Sequence, residues 1–261
     1  MSGTHIVPTP EDLQKLYQDK YDDVAKHGWR VRMRHRFGYI DADHYYEAFL
    51  DRLVKDGCSW ADVGGGTEIC LGNRRLAAGL VKRCKHLLGI DPSDNIDKNP
   101  WVYERAKCLV EEYRGETSFD LVTLRMVAEH IQDPDSVVAA LARLARPGAK
   151  VLIYTPNRWS LGSIFASITP FWFHPHAARL LYGRKADDTF PTHYRMNTRR
   201  CLRAVFERGG FTEAAFVCLA NCTTFQRFRL ACLIELSLWW LLRQIGLTYP
   251  FNHLIVVYEK E

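Results

Sequence analysis

The sequence predicts an α/β protein with a mostly parallel sheet that is covered by helices on both faces. Four short apolar segments are predicted strands: 58–63, 86–90, 119–124 and 149–155. Segments of helical pattern, 67–83 and 134–146, lie between them. This alternation is typical of βαβ units, and strands without polar alternation are typical of a sheet buried on both faces. Because such sheets bind ligands at the carboxyl ends of their strands, each strand end is a candidate site.

The segments around this core are predicted to extend the fold. An N-terminal helical arm or cap occupies 1–56, with helices at 9–27 and 41–56. The core at 57–157 also holds a weak strand near 102–105, and an aromatic-rich lid or substrate insertion follows at 158–196. The C-terminal part, 197–261, is predicted to complete the sheet. Its expected elements are a helix at 197–209, a strand at 211–219, a helical insertion at 223–246 and an antiparallel last strand at 254–258.

Composition is that of an ordinary globular protein. The chain has 261 residues, of which 47% are hydrophobic and 25% charged, and its formal charge is +5. These values exclude a mostly disordered or fibrous chain, and the charge is too small to indicate a nucleic-acid partner by itself. Eight cysteines without a CxxC pair predict reduced, buried thiols, and the N-terminus lacks the apolar segment of a signal peptide. We therefore expect a cytoplasmic protein.

The longest apolar run, Leu230–Leu242, is interrupted by Glu235 and is too short to span a membrane. Residues 227–243 are predicted to form a core or dimer helix. A peripheral contact with a membrane surface is the alternative.

A glycine turn follows the first predicted strand. Asp62 stands at the strand end, and Gly64, Gly65 and Gly66 follow it closely. Glycine allows positive φ and lets a ligand approach the backbone. The dinucleotide fingerprint GxGxxG fails because Ile69 stands at its third glycine, and the phosphate-cradling GxxxxGK[ST] pattern is absent. The Asp62 carboxylate favours a ligand with a cationic amino group, and a tight turn without a ligand is the alternative.

Asp91 ends the second predicted strand and is followed by Pro92. An acid at this strand end, about 20 residues or more past the glycine turn, is where α/β cofactor folds hold ribose hydroxyls. An Asp-Pro turn without a ligand is the alternative. The presence of Asp62 and the glycines in the same sequence favours the cofactor interpretation.

Four motifs in a fixed order carry a resemblance to a known family. The order DVGGGT, GIDP, SFDLVTLRMVAEHIQDP and RPGAKVLIYTPN resembles that of the class I S-adenosylmethionine-dependent methyltransferases. The EH after the fourth strand and the TPN after the fifth look most like the branch of the ubiquinone-biosynthesis O-methyltransferases. The resemblance covers 58–157 and continues loosely through 192–195 and 209–211. It implies a Rossmann-like fold, S-adenosylmethionine as cofactor and methyl transfer to a small acceptor.

The resemblance implies two sets of cofactor contacts. Asp62 and the three glycines would contact the methionine part of S-adenosylmethionine, although Glu68 replaces the last glycine of the usual motif. Arg125 and Met126 follow the fourth strand, where the family lines the methionine tail and the sulfonium. In the second set, Asp91 would bind both ribose hydroxyls and Pro92 would lie beside the adenine. The adenine-contacting pair of the family corresponds to Leu109 and Val110.

His130 is the candidate catalytic residue. It lies just past the fourth predicted strand, and histidine titrates near neutral pH. It could therefore take the proton of a hydroxyl acceptor as the methyl group arrives. A histidine that only packs or hydrogen-bonds is the alternative, and rival candidates stand in the predicted lid: His174, His176, His193 and Tyr194.

The predicted lid supplies candidate acceptor contacts. Methyl transfer requires donor and acceptor in line and water excluded, and aromatic side chains such as Trp159 and Phe171 would wall an apolar or aromatic acceptor. Packing on the sheet is the equally weighted alternative. No metal is expected, because His174 and His176 lack a nearby acid or Cys that would complete a ligand set. The remaining acceptor candidates are His193 and Tyr194.

The leading functional hypothesis is methylation at oxygen of a small, largely apolar or aromatic acceptor. Methylation at carbon or nitrogen stays open, because an acceptor that is already nucleophilic needs no base. The third hypothesis is a nucleic-acid-binding protein or nucleic-acid methyltransferase that uses the Arg-rich segment 30–36, whose arginines alternate as on one face of an extended strand. No nucleic-acid partner is expected, because neither an aromatic-interleaved RNA motif nor a base-flipping signature accompanies these arginines.

Overall fold

The computed structural model describes residues 6–169, 191–250 and 252–261, and one seven-stranded sheet forms its centre. The strands are β1 Cys58–Val63, β2 Cys84–Ile90, β3 Glu104–Ala106, β4 Phe119–Arg125, β5 Ala145–Pro156, β6 Phe211–Ala220 and β7 Asn252–Lys260. Their spatial order is β3-β2-β1-β4-β5-β7-β6. The pairs from β3 to β5 are parallel, and β7 is antiparallel to both β5 and β6. The predicted mostly parallel sheet with an antiparallel last strand is confirmed.

Helices precede, connect and follow these strands. They are α1 Pro10–Tyr21, α2 Trp29–Phe37, α3 Ala42–Leu53, α4 Arg74–Arg83, α5 Pro134–Leu144, α6 Leu161–Ile168, α7 Arg199–Arg208 and α8 Arg229–Gln244. Side-chain caps fix several helix starts: Thr9 forms a capping box with Asp12, and Asp133 and Thr198 accept N–H bonds from the first turns of α5 and α7. In the ranges that the structure describes, no helix has both the length and the apolarity needed to cross a bilayer.

Alternate residues of the central strands face two hydrophobic cores. Ala61 and Val122 belong to the core beneath α5 and α7, whereas their neighbours Trp60 and Leu121 belong to the core beneath α3 and α4. Side chains of adjacent strand residues point to opposite faces, so a strand covered on both sides is apolar at every position. This explains why β1 is buried along its whole length.

The helix predicted at 67–83 begins later, at Arg74. Residues 67–73 form turns in which the Glu68 carboxylate accepts the Gly72 N–H at 3.1 Å. Gly72 has φ +64, which ends any helix there, and the Asn73 side chain then caps α4 by accepting the Leu76 N–H. The glycine turn is therefore separated from the helix that follows it.

The Arg-rich segment is a helix and not an extended strand. Helix α2 starts after Gly28 and ends at Phe37, before Gly38, which adopts the left-handed conformation. At a helical spacing of 100° per residue, Arg30 and Arg34 fall on one side, and the other two arginines fall on the opposite side. The predicted single basic face was wrong because a period of two does not repeat on a helix.

Two smaller expectations also need correction. The helix predicted at 134–146 ends at Leu144, and β5 begins directly at Ala145, before Gly148. All eight cysteines are free, and the prediction of buried thiols was wrong for Cys201 and Cys218, which are exposed.

Candidate functional site

The glycine turn lies at the carboxyl end of β1, between β2 and β4. The N–H of Gly64 donates to the Ile90 carbonyl at 2.7 Å, which fastens the turn to the end of β2. Gly64 has φ +73, and a Cβ there would approach Val127 Cγ2 to 2.2 Å. A Cβ on Gly65 would lie 3.2 Å from the Asp62 carbonyl oxygen. The turn therefore requires glycine at Gly64, both for its backbone conformation and for the close packing of the loop after β4.

Asp91 lies beside this turn, as the sequence predicted. Its carboxylate accepts the Gly66 N–H at 3.0 Å and the N–H and hydroxyl of Ser93 at 2.8 and 2.6 Å. Buried Asn99, which the sequence analysis did not identify, donates to the Gly65 carbonyl at 2.9 Å. The ends of β1 and β2 thus form one hydrogen-bonded cradle with a carboxylate at its rim.

Asp62 is a buried carboxylate at the end of β1. Asp62 Oδ1 accepts the Thr123 hydroxyl at 2.6 Å. The Thr123 hydroxyl oxygen in turn accepts the Trp60 indole N–H at 2.7 Å. Burial raises the pKa of Asp62 to about 7, although the Thr123 bond and Arg125 act in the opposite direction. A cation placed beside this carboxylate would restore its charged form.

The two predicted adenine contacts, Leu109 and Val110, differ in burial. Val110 is buried in the core that contains Ile90, whereas Leu109 is 47% exposed. Pro92 is also exposed. The Asp91 N–H donates to the Ala106 carbonyl at 3.1 Å, so the chain that leads to Leu109 starts next to Asp91.

A cavity of about 700 Å³ opens beyond the ends of β4 and β5. Arg125 and Met126 line it, together with the ends of α1 and β7 and the connection from β6 to α8. Met126 has φ +55, and its N–H donates to the Tyr154 carbonyl at 2.7 Å. This strained backbone holds Met126 at the junction of β4 and β5, in the wall of the cavity.

Three ion pairs border the cavity and were not predicted from the sequence. Arg125 Nη2 lies 2.8 Å from Asp43 Oδ1, and Arg34 Nη1 lies 3.0 Å from Asp41 Oδ2. The third pair joins Lys20 to buried Glu47 at 2.8 Å. Asp41 is also the N-cap of α3, and that capping role was the only sequence signal it gave. Arg125–Asp43 and Lys20–Glu47 join residues 82 and 27 positions apart, so no local pattern could reveal them, whereas Arg34 and Asp41 are only seven positions apart.

Asp41 is held in its charged form. Burial acts to raise its pKa, but hydrogen bonding to His44 at 2.6 Å and the charge of Arg34 outweigh burial and keep the pKa well below the usual range. The wall of the cavity that the N-terminal arm forms therefore carries the negative charge of Asp41 next to the positive charge of Arg34.

His253 at the start of β7 also lines the cavity and was missed in the sequence. Its ring lies 5.3 Å from the Tyr154 ring, and Tyr154 stacks on Tyr46 at 5.5 Å. Burial and the charge of Arg125 lower the pKa of His253 to about 4, against the opposing effect of Asp43. The imidazole is therefore neutral at physiological pH.

His130 lies on a 3-10 turn after β4, next to the segment that starts at 191. Its Nδ1 is 2.8 Å from the Pro191 carbonyl oxygen. Because a carbonyl only accepts, Nδ1 carries the hydrogen, and Nε2 is the basic nitrogen of the neutral ring. His130 is not among the described residues that line the cavity.

The other predicted acceptor contacts divide into three groups. Tyr194 lines the cavity, and its N–H and that of exposed His193 donate to the Glu129 carbonyl. Trp159 is 69% exposed and is not among the described lining residues. Phe171 and His174 lie outside the described residues.

Glu129 and its partners tie this segment to the sheet. The buried Glu129 carboxylate accepts the Thr155 hydroxyl at 2.9 Å, and Asn197 donates to the same hydroxyl oxygen at 2.7 Å. The EH and TPN motifs, which in the sequence are only family markers, therefore meet in one buried network. Its effect is to fix the segment at 193–197 against the ends of β4 and β5.

The fold and this strand-end cradle define a class of protein: an α/β enzyme core of the class I methyltransferase type. A family model described as a methyltransferase domain matches residues 33–214. The match covers more than half of the chain, and the chain belongs to this methyltransferase family.

Particular relatives carry a more specific name. A ubiquinone biosynthesis O-methyltransferase of Hahella chejuensis is 30% identical over 164 residues, which are 57% of this chain and 64% of that protein. The protein of the same name from Xanthomonas oryzae pv. oryzae is 37% identical over 172 residues, 60% of this chain and 67% of its own length. The chain thus spans slightly less than two thirds of the first of these relatives.

Solved structures share the fold at low identity. A Galdieria sulphuraria protein provisionally assigned as a sarcosine dimethylglycine methyltransferase has a TM-score of 0.52 at 11% identity, over 96% of this chain and 98% of its own. The [4+2]-cyclase SpnF has a TM-score of 0.50 at 12% identity, over 97% and 98%. A fold that carries two such chemistries does not decide the reaction, which has to be argued from the site.

Proposed function

We propose that this chain is an S-adenosylmethionine-dependent O-methyltransferase of a small acceptor and works in the cytoplasm, where its eight free cysteines stay reduced. The observation that carries the proposal is the convergence of two carboxylates, Asp62 and Asp91, on one glycine turn at adjacent strand ends. Arg125 and Met126 line the cavity, and the charge of Arg125 also acts on Asp62 in the cradle.

The residues of the cradle fit the proposed cofactor. When bound, S-adenosylmethionine supplies a methyl group that its sulfonium has already activated. Asp62, buried and with a raised pKa, is suited to a cationic amino group, which would return the carboxylate to its charged form. Asp91 would exchange its bonds to Gly66 and Ser93 for bonds to the ribose hydroxyls. Leu109 and Pro92 stay predicted adenine contacts, with Val110 supporting them from the core.

The cavity is the proposed acceptor site. Its volume of about 700 Å³ is that of a small-molecule pocket. The names of the curated relatives favour oxygen as the methylated atom. The charged pairs at the arm side and the neutral ring of His253 would bind a polar part of the acceptor, while Tyr154 and Met126 provide apolar contacts. The acceptor is therefore proposed to be amphipathic rather than wholly apolar.

His130 stays the proposed general base, with Nε2 as the accepting nitrogen, on condition that a bound acceptor extends beyond the described lining of the cavity to reach it. His253 is the rival, because its neutral ring already lines the cavity. Whichever of His130 and His253 is the base, its replacement with Gln is expected to lower kcat and to remove the acidic limb of the pH profile of kcat. The Gln variant of the other histidine should keep that limb. If both variants keep the wild-type profile, the acceptor needs no base and carbon or nitrogen methylation is favoured.

Calorimetric titration with S-adenosylhomocysteine tests the cofactor site. We expect micromolar binding by the wild type and a loss of about 100-fold or more in Asp91→Ala, because hydrogen bonds to a charged group each contribute about 1.5–3 kcal/mol. Asp135→Ala, which removes an exposed acid paired with Arg208, is the matched control.

Transfer of labelled methyl from S-adenosylmethionine to a panel of phenols tests the reaction itself. No binding of S-adenosylhomocysteine by folded protein would reject the proposal. Binding without methyl transfer to any oxygen acceptor would reject its O-methyltransferase part and leave a cofactor-binding fold with a different chemistry.

A further inference from the structure

Helix α8 presents an apolar stripe to the outside of the molecule. The stripe consists of side chains at helical spacing, which include Leu230 at 73% and Ile234 at 61% exposure, and Ile245, the residue directly after α8, continues it at 60% exposure. Leu238 and Leu241 lie between them and are also exposed. A contiguous apolar surface of this kind marks an interaction site on a globular protein.

The opposite face of α8 is anchored to the arm. Cys232 and Leu236 are buried in a cluster with Tyr39, against which Trp239 packs edge-on at a ring distance of 5.0 Å. The Tyr39 hydroxyl also donates to the Ala220 carbonyl at 3.3 Å. The stripe is therefore the outward face of a fixed helix.

A second cavity, of about 590 Å³, lies at the start of α8. Its lining includes Arg30, Arg34, Arg227 and Arg229, of which Arg34 is paired with Asp41, and no acidic residue is among the described residues that line it. It also includes Gly28, the N-cap of α2, which has no side-chain cap. We call this cavity the arginine cavity. Positive side chains and a helix N-terminus favour an anionic group there.

The surroundings of the stripe add no compensating negative charge. Glu235 is the only acid between 221 and 250, and it is buried, where it accepts the Tyr249 hydroxyl at 3.1 Å and the Phe225 N–H at 3.4 Å. Arg243 stands near the other end of α8, over the Trp239 ring. The apolar stripe is thus bordered by arginines at both ends.

We propose that the apolar stripe and the arginine cavity together form a docking surface for a lipid bilayer that contains anionic phospholipids. The arginine cavity receives headgroup phosphates, and α8 lies in the plane of the interface with its stripe among the upper acyl chains. An amphipathic helix with apolar side chains on one face and basic residues beside them binds membranes in this way. At about 1.5 Å per residue, α8 is long enough for an interfacial contact.

A second copy of the chain fits this surface less well than a bilayer. In an antiparallel pairing of two α8 helices, Arg229 would approach the Arg243 end of the other copy. In a parallel pairing, like ends would meet. In both arrangements positive side chains of the two copies face each other, and no exposed acid compensates their repulsion. This is unfavourable in an interface.

The docking surface is continuous with the proposed acceptor site. Gln226 lines both the arginine cavity and the larger cavity, and its side chain accepts from Arg34 at 3.3 Å. If the proposed function holds, a bilayer-dissolved acceptor would enter beside α8. The docking itself does not depend on methyl transfer and is tested separately.

Co-sedimentation with vesicles tests the proposal with the full chain. We expect the wild type to bind vesicles of phosphatidylcholine mixed with phosphatidylglycerol, more weakly at higher salt, and not vesicles of phosphatidylcholine alone. The double variant Arg30→Gln/Arg229→Gln should bind about 30-fold less tightly, the loss expected for two basic residues at an anionic surface. Leu230→Ser/Ile234→Ser should also lose binding, because it removes the stripe's contact with acyl chains.

The matched control is Arg203→Gln/Arg208→Gln, which makes the same change in net charge on α7 and should bind like the wild type. Unchanged circular dichroism and S-adenosylhomocysteine affinity establish that each variant is folded. Equal binding of the wild type to both vesicle types, or none to either, overturns the proposal.

Two further results would also overturn it. The first is a dimer, seen by analytical ultracentrifugation, that Leu230→Ser/Ile234→Ser dissociates. The second is stabilisation by inorganic phosphate without vesicle binding, which would assign the arginine cavity to a soluble anion. A failure of S-adenosylhomocysteine binding with intact vesicle binding would reject the proposed function alone.

Discussion

Asp62 combines a destabilising environment with a position at the candidate cofactor site. The carboxylate is buried at the end of β1, and one hydroxyl donor, Thr123, does not offset the loss of hydration. A residue of this kind is retained where a ligand supplies the missing charge. In the ligand-free protein, the same carboxylate should lower stability at neutral pH.

The sign of this effect follows from linkage. The folded-state pKa of Asp62, about 7, lies above the unfolded value, so the folded state binds the extra proton and stability falls as pH rises from about 4 to 7. Asp62→Asn should therefore stabilise the ligand-free protein at pH 8, by at most about 4 kcal/mol, and much less at pH 4. Urea unfolding at the two pH values measures the difference.

The same variant should bind S-adenosylhomocysteine more weakly, because it removes the charge that faces the amino group. A more stable variant with unchanged affinity would show that Asp62 does not contact the ligand. A variant less stable than the wild type at both pH values would contradict the raised pKa.

Gly64 shows how closely the turn is packed. Gly64→Ala introduces a left-handed alanine, which costs about 1–2 kcal/mol, and a Cβ that would approach Val127 Cγ2 to 2.2 Å. Gly148→Ala is the matched control, because Gly148 has φ +78 but open space around its Cβ position. We expect Gly64→Ala to lose about 1–3 kcal/mol more than Gly148→Ala in urea unfolding.

A double-mutant cycle separates the two contributions. Val127→Ala removes the clashing methyl groups and should recover part of the loss in Gly64→Ala, giving a favourable coupling energy. Additive effects of the two substitutions would mean that the loop after β4 moves away at no cost, and that the turn is not clamped by Val127.

At the scale of elements, the arm helices are walls of the acceptor cavity. Lys20 and Tyr21 near the end of α1 line it, as does Asp43 at the start of α3. Helix α1 is held by its capping box and by the ion pair of Asp12 with Arg52. Loosening this helix should therefore disturb the acceptor without disturbing the cofactor cradle.

Thr9→Ala tests this separation. Losing the cap should cost about 1 kcal/mol and raise the KM for the acceptor several-fold, with the affinity for S-adenosylhomocysteine unchanged. Thr198→Ala removes the corresponding cap of α7, where the Thr198 hydroxyl accepts the Cys201 N–H, and should cost similar stability without changing KM. Equal KM values in the two variants would contradict a role for α1 in the cavity wall.

Elements with a local sequence pattern could be predicted, and contacts between distant elements could not. Strands β1 and β2 were predictable because their local apolar runs end at glycine or aspartate, and this also located Asp62 and Asp91; β4 was predictable as a short apolar run. Arg125 and Asp43, by contrast, meet across a long stretch of chain, so their ion pair has no local pattern. The start of α4 was misplaced because turn-forming Gly72 stood inside an otherwise helical pattern.

The whole molecule divides into a two-sided sheet and a satellite cluster. The two cores that flank the sheet contain no residue of α8, whose buried side chains pack with Tyr39 and the apolar side of α2 instead. The last two strands do not need the insertion between them for their register, because Ala220 and Asn252 are already direct partners at the end of the hairpin. The segment 221–251 is thus an addition to a sheet that closes without it.

Replacing 221–251 with an Asn-Gly turn tests this division. A two-residue turn suits antiparallel strands with this register, so the shortened chain should fold in one cooperative transition. It should be less stable than the wild type, because Tyr39 becomes exposed, and should bind S-adenosylhomocysteine with an affinity close to that of the wild type. It should lose methyl transfer, because the deleted residues include the cavity walls around Thr223 and Gln226. A shortened chain that folds but no longer binds S-adenosylhomocysteine would mean that the cradle depends on the satellite cluster, and that the insertion is part of the cofactor site itself.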